Sequence, residues 1–241
     1  MNAEVLLDRV LVRLNAGRPD LAERVLERLR RDAPDSRARS LAEIEWLRAF
    51  IDPAEDASSE AEAAVDAALR THVKTWPDDA DALHLLGARC LDAGQVDEAV
   101  QLWLRVRVLD VEADRREDVG NEEEMRVVFE VAEAVVDALE DPFKGQLAGV
   151  PIVVEDRPSE DLVASGFDPR AYGLFEGPDH AWASSLDAPP LPSRIVLFAN
   201  NLLADFGDRE ELEEQVEITV LHEAGHYFGL DEDDLARMGL D

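Results

Sequence analysis

Lysine, cysteine and long apolar runs are what this sequence has least of. Cys90 is its one cysteine, which excludes an intrachain disulfide and a thiolate-built zinc cluster. No stretch approaches the roughly 18 apolar residues that a membrane-crossing helix needs. Met1 to Asp20 carries charges throughout and has no apolar h-region, so it does not read as a signal peptide, and a cytoplasmic, reducing location is expected. Positive charge is equally scarce. Lys74 and Lys144 are the only lysines, and 24 Lys and Arg face 55 Asp and Glu, for a formal charge of −31. A surface of that sign repels phosphate backbones and anionic headgroups, so neither nucleic acid nor a membrane is an expected partner. With 46% apolar residues the chain still has enough to bury a core.

What is present falls into two halves. From Glu4 to Asp32 and from Asp81 to Asp110, apolar residues recur at three- and four-residue spacing, with Arg and Glu between them. Leu83, Leu86, Gly87, Cys90, Gly94, Ala99 and Trp103 stand at the spacing of a tetratricopeptide unit, and Leu6, Gly17, Ala22, Leu26 and Pro34 occupy matching offsets. A middle copy is poorer: a helix around Leu41–Ile51, an insertion Asp52–Glu60, a helix around Ala61–Val73, then Pro77. Residues 1–112 therefore resemble three tetratricopeptide units, an all-α region of helical hairpins that implies a surface for a protein partner. Small residues such as Gly87 and Ala99 let facing helices approach, and Gly94 ends one helix and starts the turn to the next. Cys90 falls at a packing position, and His72 and His84 read as structural.

After Asp118-Val119-Gly120 the pattern changes. Met125, Val128, Phe129, Ala132, Val136 and Leu139 lie on a wide apolar face of a helix from about Glu122 to Leu139. Short apolar runs at Val150–Val154, Tyr172–Phe175 and Arg194–Phe198 read as strands. Between the last two, Gly177–Ser193 carries Pro178, Pro189, Pro190 and Pro192 and can be neither helix nor central strand. A last helix begins at Asp208, an N-cap with Glu211 three residues on, and carries a stripe of Leu212, Val216, Val220, Ala224 and Phe228. The fold class is α+β.

That helix contains His222-Glu223-Ala224-Gly225-His226. Residues i and i+4 share a helix face, so both imidazoles can reach one Zn2+, while Glu223, one step round, can hold and deprotonate a water. Two neutral imidazoles leave the ion its charge, and a catalytic site wants a third protein ligand and an open position. Gly229 ends the helix three residues after His226, and Asp231-Glu232-Asp233-Asp234 follows. With fifteen residues after His226, the third ligand is expected from this turn or from upstream.

Residues from about Glu122 to Leu240 resemble the small zincin-like metallopeptidases, the minimal metalloprotease family, whose signature is His-Glu-x-x-His-x-x-Gly-x-x-Asp. The resemblance implies a small zincin-like domain, residues 119–241, of helix, small mixed sheet and active-site helix. It implies a peptide or protein substrate, zinc on His222 and His226, Glu223 as the catalytic base, and Glu232 as third ligand. Glu stands there in place of Asp, and Asp231 and Asp233 are close competitors. Met238 sits too near the second histidine to be the methionine turn of the metzincins and reads as a packing residue. His180 is a weaker candidate for an oxyanion donor or upstream ligand, as are Tyr172 and Arg170 for polarising a carbonyl. A strand near the site, Tyr172–Phe175, is expected to accept an extended peptide by β-addition. Two other readings compete. One is a repeat scaffold with a structural or vestigial zinc site. The other, an RNA-processing hydrolase, needs a further histidine and suits the acidic charge poorly.

Overall fold

The computed structural model describes residues 2–49, 60–178 and 193–240. Most of the expected insertion at 52–60 and most of the proline-rich segment, with His180, lie outside the described residues. The chain divides into two compact units, Met1–Val106 and Arg107–Asp241, the division falling within helix α6 (Val96–Glu117).

The first unit is helical. Helices α1 (Ala3–Asn15), α2 (Pro19–Asp32), α3 (Arg37–Arg48), α4 (Glu60–Thr75) and α5 (Ala80–Asp92) pack each on the next. Asn2, Ser36 and Asp79 cap α1, α3 and α5 by accepting backbone N–H groups, and Pro19 opens α2. Leu6, Val10, Ala22, Leu26 and Leu29 form one core, and Ile44, Val65, Leu69, Leu86 and Cys90 another. Burial pushes the Cys90 thiol up and leaves it a packing residue. Gly87 is small because Trp103 lies against it, where a Cβ would overlap the indole. The glycine thus makes room for a large ring rather than for a facing backbone. His72 is fully buried, its Nε2 donating to Asp79 Oδ2 at 2.8 Å and its Nδ1 2.9 Å from Ser40 Oγ.

The second unit is α+β. Helix α7 (Glu122–Ala138) starts with a capping box in which Asn121 and Glu124 exchange backbone hydrogen bonds. A short helix α8 (Phe143–Leu147) leads to strand β1 (Ile152–Glu155), and helix α9 (Glu160–Ala164) precedes β2 (Gly173–Glu176). Strand β3 (Arg194–Phe198) is followed by α10 (Ala199–Asp205), α11 (Arg209–Tyr227) and α12 (Glu232–Met238). The sheet is mixed, ordered β1-β3-β2, with β3 parallel to β1 and antiparallel to β2. Ile195, Val196, Leu197 and Phe198 are all buried, the continuous apolar run of a central strand. Helix α11 packs on β2, β3 and α7, burying Leu212, Val216, Val220 and Ala224.

The strands lie within two residues of their expected positions. Asp208 caps α11 through the N–H of Glu210. Met238 corrects the reading of it as a packing residue: it is 62% exposed. Asp231–Asp234 is the start of a helix rather than an open turn. Asp231 caps α12 by accepting from Asp234, and three acids in the first turn suit the positive end of the helix dipole. Among the described residues no helix is long and apolar enough to cross a membrane.

Candidate metal centre

The helical period places His222 and His226 on one face of α11, their ring centroids 4.7 Å apart. Each ring is fixed from behind. His222 Nδ1 donates to the Leu240 carbonyl at 2.6 Å, and His226 Nδ1 donates to the Leu230 carbonyl at 3.2 Å. A carbonyl can only accept, so each Nδ1 carries a proton, and in the neutral ring that tautomer leaves Nε2 with a lone pair. Those two atoms lie 3.0 Å apart. Two imidazole nitrogens turned toward each other at that separation suit a shared cation, a proton or a metal ion.

Glu232, the first residue of α12, brings its carboxylate to the same place. Its oxygens lie 3.7 Å from His222 Nε2 and 3.4 Å from His226 Nε2. One donor atom from each of the three residues falls within 4.8 Å of the other two. Of the neighbouring acids, Asp231 uses its side chain as the helix cap. Two imidazoles and a carboxylate are a donor set that zinc takes, so the residues present fit the ion that the motif implies.

The turn that delivers Glu232 follows from Gly229. At φ 81 it adopts the left-handed conformation that closes α11. Its N–H bonds the His226 carbonyl and the Leu230 N–H bonds the Gly225 carbonyl, both at 3.0 Å.

Glu223 is different in kind. It is buried, and its Oε2 accepts the Phe175 N–H of β2 at 2.6 Å. Burial raises its pKa above the ordinary carboxylate value, against the opposing pull of His222, His226 and the Phe175 hydrogen bond. Gly173 is the residue that sequence reasoning missed. A Cβ there would stand 2.7 Å from Thr219 Cγ2 and 2.9 Å from Glu223 Cγ and Oε1. Its only signal in the sequence is a glycine inside a strand pattern, which marks a close approach by another element.

These groups open on a cleft of about 390 Å³ walled by β2 and α11, with Phe167, Tyr172, Phe175 and Ile218 among its apolar lining. Tyr172 borders it, but its hydroxyl donates to Asp205 Oδ2 at 2.7 Å, and burial followed by that bond raises its pKa. Arg170 points to Asp110, with Nε and Nη2 at 2.8 and 2.9 Å from its two oxygens. Arg157 likewise grips Asp114 at 2.6 and 2.7 Å, a buried pair that sequence reading did not anticipate.

Residues 147–240 match the model of a family described as zincin-like metallopeptidase. The match takes in the sheet, α11 and α12, and so His222, Glu223, His226 and Glu232. No curated protein matches the chain.

Proposed function

We propose that the second unit is a zinc-dependent peptidase in which His222, His226 and Glu232 hold the metal and Glu223 moves the proton. The supporting observation is the imidazole pair, with Nε2 atoms 3.0 Å apart and both Nδ1 protons held by carbonyls. When bound, zinc supplies a Lewis acid that lowers the pKa of a coordinated water toward about 7 and polarises a carbonyl.

Glu223 does the rest. Phe175 holds Oε2, leaving Oε1 to take the proton of the attacking water and pass it to the leaving amine. Burial raises its pKa above the ordinary carboxylate value, which makes it a stronger base for the first transfer. Among the described residues strand β2 lies at the margin of the sheet, which supports an extended peptide laid along its outer edge. The helical region at residues 1–112 would recruit the substrate or a protein partner.

Metal analysis and a cleavage assay test this reading. Zinc bound to the purified chain, with hydrolysis of an unstructured protein that stops on chelation, is the expected result. Cleavage indifferent to chelator would end it. A bound zinc with four protein donors would favour the scaffold reading, because a closed site leaves no position for water.

A further inference from the structure

Leu235 has no place in the proposed chemistry, yet it is fully buried and joins three parts of the centre. Its side chain seats on Gly225, between the two histidines, where an added Cβ would overlap Leu235 Cδ2. Its carbonyl accepts the Leu240 N–H at 3.1 Å. The Leu240 carbonyl in turn accepts His222 Nδ1 at 2.6 Å. Gly239, left-handed at φ 75, turns the chain so that this last bond forms. Glu232 opens the same short helix, and the Leu230 carbonyl, which holds His226, lies two residues before it.

We propose that Leu235, seated on Gly225, is a positioning residue that sets the ring of His222 through the Leu240 carbonyl and so determines metal affinity. The inference rests on the zinc reading above and adds the part of the fold that preorganises it. Hydrogen-bond partners behind a metal-binding imidazole fix its tautomer and orientation, and losing one typically weakens binding roughly 10- to 100-fold.

Gly239→Val in the full chain separates positioning from packing. Among the described residues nothing lies within 4 Å of a Cβ at that position, so the substitution acts on the left-handed turn and not through a clash of its Cβ with the core. Zinc affinity, measured by competition with a chromophoric chelator, should fall roughly 10- to 100-fold while the circular dichroism spectrum is unchanged. Leu235→Ala should lose a similar factor, and Leu235→Met should recover most of it. In the zinc-free protein, ring nitrogen shifts should show His222 as the Nδ1–H tautomer in wild type and as a mixture in Gly239→Val. Wild-type zinc affinity in Gly239→Val overturns the positioning role. Failure of the wild type itself to bind zinc overturns the metal reading instead, and the tautomer shifts then decide the positioning role alone: a tautomer unchanged by Gly239→Val overturns it.

Discussion

Gly173 and Glu223 occupy one space. The bare α-carbon of Gly173 in β2 leaves the gap through which the Glu223 side chain reaches the Phe175 N–H, and a methyl group there would stand 2.9 Å from Oε1. Gly173→Ala should therefore displace the carboxylate while leaving both imidazoles in place. Misplacing a catalytic group by about an ångström costs on the order of 100-fold. The expected outcome is a loss of that size in cleavage with zinc content unchanged. Full activity would show that Glu223 does not work from the observed position.

Glu223→Gln removes the base and keeps an oxygen for the Phe175 N–H. Hydrolysis should fall by about 10²- to 10⁴-fold, the usual contribution of general acid–base catalysis, while zinc remains bound. Burial raises the Glu223 pKa, so ionisation of this group costs stability as pH rises through its folded value. The glutamine variant, with no charge to bury, should not melt below wild type in the zinc-free state at neutral pH. A lower melting temperature would mean that the ionised carboxylate holds the fold together.

Glu232 and Asp231 are adjacent acids with different work, and substitution should separate them. Glu232→Ala removes the carboxylate that lies 3.4 and 3.7 Å from the imidazoles, so zinc affinity should drop by at least the roughly tenfold seen for weaker, outer contacts. Asp231→Ala removes the cap of α12, at about 1 kcal/mol, and should shift zinc affinity less. Equal effects, read from one chelator titration, would undo the assignment.

Acid should loosen the first unit in a defined window. Desolvation opposes ionisation of Asp79, but hydrogen bonds from His72 and Arg37 outweigh it and hold the carboxyl well below the usual range. A depressed folded pKa contributes stability above the unfolded value of about 4 and loses it as pH falls further. Removing one member of a buried hydrogen-bonded set costs about 1–3 kcal/mol. Asp79→Asn should be destabilised by that much at pH 7, with a shallower loss of stability below pH ~4 than wild type. Parallel pH–stability curves for the two proteins would contradict this account.

How much of this was legible depended on the range of the interaction. The fold class and three strands follow from local period and from Gly and Pro punctuation, as does the helix of His222 and His226. Helix α12 was missed because Asp231–Asp234 reads as a solvated acidic run, although a capping Asp followed by three acids is also how a helix begins. The grip of Arg157 on Asp114 joins residues 43 apart, and no periodicity reports such a pairing. Gly173 was illegible for the same reason: what a glycine makes room for becomes visible only when the neighbouring helix is in place. The carbonyls of Leu230 and Leu240 carry no side-chain signal at all.

The charge of −31 makes a prediction about rate. A strongly acidic protein raises the local concentration of cationic ligands and repels anionic ones, with effects on association of 10- to 10³-fold at low salt. Paired peptides of one core sequence, flanked by arginines or by glutamates, should then differ by tenfold or more in cleavage efficiency, with the arginine version faster. The gap should narrow as ionic strength rises, because the screening length falls to about 10 Å at 0.1 M salt and about 3 Å at 1 M. A preference that survives high salt would place the discrimination inside the cleft, in direct contacts with Glu232 or its neighbours rather than in the field of the whole molecule. Absence of any preference would mean that association does not limit turnover.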